Sequence, residues 1–203
     1  MLRAILVAVL LMGIGPAAAA EPPREALQYQ RDLIRSARFV WGLSAPIALF
    51  GAQIHQESGW RKEARSAYAG GLAQFTPDTA AWIGSLYKDE LGVADPYSPS
   101  WAMRALVRYD RHLFDRIEAA TPCDRWAFTL AAYNGGPGWI SRDKAMARTA
   151  GADPDRWWGE VERFSPRAAW AFKENRGYPR RIILDLQPRY TRWGAGVACE
   201  VPP

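Results

Sequence analysis

Apolar residues recur in steps of three and four along most of this chain, the period of a helix with one face turned inward. Glu25–Val40 is a polar segment with apolar positions at Leu27, Leu33, Ile34 and Phe39. Ser44 is placed to cap a second helix, with Pro46 near its first turn and Gly59 at its end. Residues 60–77 are rich in Gly, Ser and Ala and lack a period, so they read as a loop or short β ribbon. A third helix starts at Thr76 or Asp78 and runs through Ile83. The longest starts at Ser98 or Ser100 and runs to about Glu118, with Met103, Leu106, Val107, Leu113, Phe114 and Ile117 as its apolar set. Helices over Arg125–Tyr133, Trp139–Arg148, Pro166–Asn175 and Arg180–Leu186 complete the pattern, with Asn134–Gly138 as a loop. No repeat, long linker or low-complexity tract divides the body. The expected fold class is mostly α, in one domain.

The N-terminus follows a different rule. Met1-Leu2-Arg3 precedes an apolar run from Ala4 to Met12, then Gly13, Gly15 and Pro16, then Ala17–Ala20. A basic start, a short apolar stretch and an A-x-A ending describe a secretory signal peptide over residues 1–20, cleaved before Glu21. The alternative is a membrane anchor, but the run is short of the roughly 20 residues that a spanning helix needs. The remainder, 21–203, forms the expected domain. Export gives Cys123 and Cys199, the two cysteines of the chain, an oxidising compartment in which to bond. Two free buried thiols are the alternative.

Composition narrows the chemistry. With two Cys and two His in 203 residues, a Cys/His zinc site is nearly excluded. No GxxxxGK[ST] or GxGxxG run supports nucleotide binding, and no cofactor or metal is called for. The net charge of +5 suits an acidic polymer, although the arginines are interleaved with acids as on an ordinary solvated surface. No motif turns that charge into a nucleic-acid site.

One carboxylate stands out. Ile47, Phe50, Ile54 and Glu57 follow steps of three, four and three, one face of the second helix. Glu57 therefore ends the stripe that faces the core. An ionised carboxylate is costly there, so its pKa is expected to rise, as a general acid near neutral pH requires. The plainer reading is a Glu in a last turn that reaches water. Two further segments add to it. Gly70-Gly71-Leu72-Ala73-Gln74 puts adjacent glycines, which permit close approach to a ligand, just before an amide. Ala131-Ala132-Tyr133-Asn134-Gly135-Gly136 puts Tyr133 and Asn134 at a helix end that opens into glycine, which is also what a plain C-cap looks like.

In this order, Glu57-Ser58, Gly71-Leu72-Ala73-Gln74 and Ala132-Tyr133-Asn134 resemble the soluble lytic transglycosylase family, whose three blocks read E-S, G-L-M-Q and A-Y-N. Thr76-Pro77 and Thr79-Ala80 extend the likeness, and Glu174-Asn175-Arg176-Gly177-Tyr178 is similar to the family's late E-x-R-x-Y segment. Gly71–Pro77 and the Trp-rich body look closest to phage-type or mobile-element members. Ala73 stands where Met is usual, and Pro179 where Val is frequent. The resemblance implies a lysozyme-like fold and cleavage of peptidoglycan between N-acetylmuramic acid and N-acetylglucosamine, ending in a 1,6-anhydro sugar. It implies Glu57 as the single acid/base, with Ser58, Gln74, Tyr133, Asn134, Glu174 and Tyr178 around the substrate. Glu63, Asp78 and Glu174 are the candidates for a second acid.

Trp60 and Trp139 follow the two site segments and are weak candidates for stacking on sugars, whereas Trp41, Trp82, Trp126 and Trp170 read as core. His55 is expected in solvent and His112 without a partner. Two other readings stay open: a lysozyme-type muramidase, and a non-enzymatic peptidoglycan-binding component of an envelope-spanning secretion or transfer machine. In each the partner is the glycan strand, the location is periplasmic or wall-associated, and any membrane contact is through an uncleaved signal sequence.

Overall fold

The computed structural model describes residues 21–200. The signal-peptide expectation falls on residues 1–20, outside the described residues. The expected first helix is broken at Gln28-Tyr29 into α1 (Arg24–Leu27) and α2 (Gln30–Trp41). Ala26, Leu33 and Ala37 are inside here, while Leu27 and Phe39 face solvent. Ser44 does not cap the next helix. Its hydroxyl donates back to the Trp41 carbonyl within a 3₁₀ turn, and Pro46 takes the cap position.

α3 (Ile47–Ser58) is the central helix. Every residue from Ile47 to Ile54 is buried, not one stripe of them. Gly51 explains part of this, because a Cβ there would lie 2.7 Å from the Tyr190 ring. After a turn and the loop 61–76, held by isolated bridges Arg65–Gly70 and Gly70–Phe75, come α4 (Pro77–Leu86) and α5 (Lys88–Leu91). α6 (Pro99–Phe114) and α7 (Pro122–Gly135) follow. α4, α6 and α7 start alike. Thr76, Ser98 and Thr121 each accept the N–H of the residue three on, and each is followed by proline. Asn134 and Gly135 belong to α7, so the expected loop shrinks to Gly136, and α8 (Pro137–Thr149) begins at once. α9 (Ala169–Arg180) carries Pro179 near its end. Proline deletes a helix hydrogen bond, and the chain widens directly afterwards into a π-helical turn, Arg181–Leu186, before a 3₁₀ turn at Gln187–Tyr190.

The tryptophans divide by place. Trp41, Phe50, Phe114 and Trp126 form one aromatic cluster with centroids 4.9–5.9 Å apart. Trp60, expected against sugar, is 1% exposed: it stacks on Tyr29 and donates its indole N–H to the Tyr190 hydroxyl at 2.7 Å. The same hydroxyl meets His55 Nδ1 at 2.8 Å, so His55 is half-buried and bonded, not in solvent. His112 likewise has a partner, the Tyr87 hydroxyl at 3.1 Å. Trp82 and Trp170, expected in the core, are exposed.

α9 is fixed by an ionic lock. Asp143 of α8 is fully buried and meets Arg176 Nη2 at 2.8 Å, with Arg167 at 3.5 Å. Arg176 also donates to the carbonyls of Glu162 and Phe164 and to Asn175 Oδ1. A buried guanidinium is tolerated only when its donors are used this fully.

Cys123, in the first turn of α7, is bonded to Cys199 of the C-terminal tail across 76 residues. Non-reducing digestion should yield one peptide pair joined through these residues, and two alkylatable thiols in untreated protein would contradict it. Reduction should lower the stability by up to about 4 kcal/mol, read as a fall in melting temperature.

Candidate active site

The cleft has a volume of about 970 Å³, and six of the seven substrate-site residues expected from sequence line it: Glu57, Gln74, Tyr133, Asn134, Glu174 and Tyr178. Four separate segments contribute. α3 delivers Glu57 in its last turn, and Gly59 stops the helix there in the left-handed conformation at φ 59°. Ser58 is the exception. It is 2% exposed, donates to the Ile54 carbonyl, and accepts from the Trp60 N–H, so it closes the turn and does not line the cleft.

The glycine segment is shaped by protein, not by ligand. Gly71 has φ 78°, and a Cβ on it would sit 1.8 Å from the Pro96 carbonyl oxygen. No other residue fits. This packing sets up Gln74, which holds the rare φ of 46°. Its Nε2 donates to the Ala64 and Gly71 carbonyls at 3.1 and 2.9 Å, leaving Oε1 as the acceptor for the cleft. Tyr133 donates to the Ala73 carbonyl at 2.8 Å and packs on Phe75 and Tyr109. Asn134 Oδ1 accepts from Asn175 Nδ2 at 2.8 Å, so its own amide N–H groups remain for a ligand. Gln74 and Asn134 thus present opposite hydrogen-bonding halves.

The late block is read on two faces. Asn175 and Arg176 point inward, the first to Asn134 and the Ala131 carbonyl, the second to Asp143. Glu174 and Tyr178 point outward, one helical turn apart, into the cleft. Trp170 continues that face by four residues and lines the cleft at 74% exposure. The 170–174–178 spacing was the available signal for this missed residue. Lys173, Arg181 and Tyr68 also line the cleft and were missed, without a motif to mark them. Trp139 lies beside a neighbouring hollow under the Arg142 and Arg167 guanidiniums.

Electrostatically the floor is a carboxyl kept from water. Glu57 touches the cleft, but the protein around it is dense enough that desolvation drives its pKa from 4.5 to about 8. A hydrogen bond from the Tyr178 hydroxyl opposes this, and the charge of Glu174 adds to it. Glu57 and Glu174 are the two carboxylates lining the cleft. Glu63 is exposed beside Lys62, and Asp78 is exposed in the first turn of α4, so neither reaches it. A neutral acid with one phenolic donor, between an amide acceptor and an amide donor, is equipped to protonate a leaving oxygen and then to hold the resulting anion.

Known proteins share this chain's sequence pattern and fold. The family description "Transglycosylase SLT domain" matches residues 43–155, more than half of the chain. Membrane-bound lytic murein transglycosylase F of Aeromonas salmonicida (strain A449) is 33% identical over 162 residues, covering 75% of this chain and 29% of that protein. The protein of the same name from Marinobacter nauticus is 33% identical over 155 residues, covering 74% and 28%. The chain therefore spans under a third of the length of these relatives. Among solved structures, the 70 kDa soluble lytic transglycosylase SLT70 of Escherichia coli superposes with a TM-score of 0.58 at 23% identity, over 83% of this chain and 25% of that one. A complex of the 70 kDa soluble lytic transglycosylase with bulgecin A gives 0.57 at 23% identity, over 84% and 25%. The fold is the mostly α, lysozyme-like one expected, and the chain belongs to the SLT transglycosylase-domain family.

Proposed function

We propose that this chain is an exported lytic transglycosylase, cleaving the β-1,4 bond between N-acetylmuramic acid and N-acetylglucosamine of peptidoglycan with Glu57 as its one acid/base. The observation that carries the reading is the desolvated Glu57 carboxyl at the cleft floor, held by Tyr178 and protonated near neutral pH.

Glu57 gives its proton to the glycosidic oxygen as the bond to C1 breaks. The 2-acetamido group of the muramic residue closes on C1 as an oxazolinium, so no second protein carboxylate is required. Gln74 Oε1 and Asn134 Nδ2 suit the N–H and C=O of such acetamido groups. Glu57, now an anion stabilised by Tyr178, takes the C6 hydroxyl proton as that oxygen attacks C1 and displaces the acetamido oxygen, which opens the oxazolinium back to the acetamide and leaves a 1,6-anhydro end. Glu174, Trp170 and Lys173 line the path of the strand. Glu174 also gives the hydrolytic reading its one foothold, as a carboxylate that could direct water to C1. The apolar N-terminus supports export to the periplasm or wall, and a place in an envelope-spanning secretion or transfer machine is compatible with local wall opening.

Digestion of purified peptidoglycan should release muropeptides one water lighter than reducing-end products. Hydrated ends would make the protein a muramidase, and strand binding without release would make it a binding component. Glu57→Gln should lower release by at least about 10²–10⁴ while keeping the fold.

The same substitution should stabilise the protein. Glu57 binds a proton more tightly folded than unfolded, so stability falls as pH rises from 4.5 to about 8. Glu57→Gln removes that loss, and above pH 8 its melting temperature should exceed that of the parent, by up to about 5 kcal/mol in stability. Below pH 4.5 the two should converge.

Activity requires protonated Glu57 and should fall above a pH of about 8. Because Tyr178 lowers that value, Tyr178→Phe should move the alkaline limb to higher pH, with a roughly ten- to hundredfold lower rate from loss of a donor to an anion. A limb that stays or moves down would contradict the role of Tyr178.

A further inference from the structure

Close enough to Glu57 to feel its charge, but not among the residues that line the cleft, is a second carboxyl for which the proposed chemistry has no use. Asp110 is in the middle of α6 and is 0% exposed. Its one hydrogen bond comes from Gln53 Nε2, at 3.3 Å to Oδ1. Gln53 is also 0% exposed and stands one turn before Glu57 on α3. Two atoms of this pair are buried without partners, Asp110 Oδ2 and Gln53 Oε1. If Asp110 is ionised, both are acceptors and neither can satisfy the other. A proton on Oδ2 turns it into the donor that Oε1 lacks. One proton therefore resolves two vacancies on the same two side chains.

The surroundings point the same way. The titratable groups around this pair are Glu57 of α3, Tyr109 of α6, Tyr133 of α7 and Tyr178 of α9. All are acids. Among the described residues, no Arg or Lys is ion-paired or hydrogen-bonded to any of them or to Asp110. A fully buried carboxylate with one neutral amide and no cation is expected to take up a proton. Burial accordingly pushes Asp110 well above the ordinary carboxylate range, and the charge of Glu57 adds to this.

We propose that Asp110 is a positioning residue held as the neutral carboxylic acid, donating Oδ2–H to Gln53 Oε1 while Gln53 Nε2 donates back to Oδ1, and that this ring braces the turn of α3 that carries Glu57. The consequence rests on the function proposed for Glu57. With Asp110 neutral, Glu57 is the one carboxylate of the buried floor that changes charge. It can give up its proton without meeting a second anion nearby. An ionised Asp110 would oppose that step and hold Glu57 in its acid form.

The test separates this inference from the assignment of activity. In full-chain Glu57→Gln protein, held above pH 8, infrared spectroscopy should show the carbonyl stretch of one protonated carboxylic acid, and Asp110→Asn should abolish it. Absence of that band overturns the proposal whether or not the protein cleaves peptidoglycan. Failure of parent protein to cleave, with the band present, would instead overturn the activity alone. In the cleaving protein, Asp110→Asn exchanges one neutral partner for another that also offers a donor and an acceptor. The alkaline limb of the pH profile should stay in place. A limb displaced to lower pH would mean that a negative charge had been removed from beside Glu57, and would overturn the proposal. Asp110→Leu should lower the melting temperature, and adding Gln53→Leu should recover part of the loss because both polar partners leave together. A double variant no more stable than the single one would show that the two side chains are uncoupled.

Discussion

The cleft depends on a guanidinium that never sees it. Arg176 is buried against Asp143 and spends its remaining donors on two carbonyls and Asn175. That arrangement fixes the rotation of α9, and the rotation sends Glu174 and Tyr178 to the opposite side, into the cleft. Through Asn175 it also turns the Asn134 amide so that its donors face outward. A helix held by apolar contact alone could rotate by a few degrees at little expense. One held by a desolvated ion pair has a single satisfactory setting, because any other strands a buried charge. Tyr178 therefore arrives at Glu57 from a fixed direction.

The second requirement is dryness without a cation. Many proteins stabilise a buried carboxylate with arginine, which lowers its pKa and would disable it as an acid. Here the charges are segregated. The buried Arg176 is paired with Asp143, and among the described residues the titratable groups gathered under the cleft around Glu57 and Asp110 are carboxyls and phenols. Tyr178 moderates Glu57 with a neutral donor, which eases the anion without locking it in place. The folded protein thereby carries a strained proton equilibrium at its centre, the usual exchange of stability for chemistry.

How much of this could be read from the chain follows from what kind of information each feature uses. Local rules were legible: the Thr-Pro and Ser-Pro starts of α4 and α6, the Gly59 stop, and the three motif blocks. The like start of α7 at Thr121-Pro122 was passed over, and that helix was expected only from Arg125. Glu57 was found through a helical stripe, although α3 is buried on all sides, so the stripe was a sign of depth and not of a face. Features set by tertiary contact were not legible. The glycine pair proved to accommodate Pro96 and Tyr97, some 26 residues further on, and not a ligand. Ser58 matches the first block letter by letter, yet its hydroxyl is consumed by the turn. Trp60 was misplaced because a flat ring near a site looks alike whether it serves sugar or Tyr190. The expected end of α7 fell short at Tyr133, because the glycines after it signalled a loop where packing carries the helix on through Asn134 and Gly135.

The bond from Cys123 to Cys199 has a mechanical side. It closes a ring of chain that contains α7, α8 and α9, and with them Tyr133, Asn134, Glu174 and Tyr178. Glu57 and Gln74 lie outside the ring. A tension applied between residue 21 and the tail would run through the first half of the fold, cross the bridge, and leave the segment between the two cysteines unloaded. The two walls of the cleft would then respond unequally to pulling. The side that carries Glu57 and Gln74 would give way first, and the side that carries Tyr133, Asn134, Glu174 and Tyr178 would outlast it.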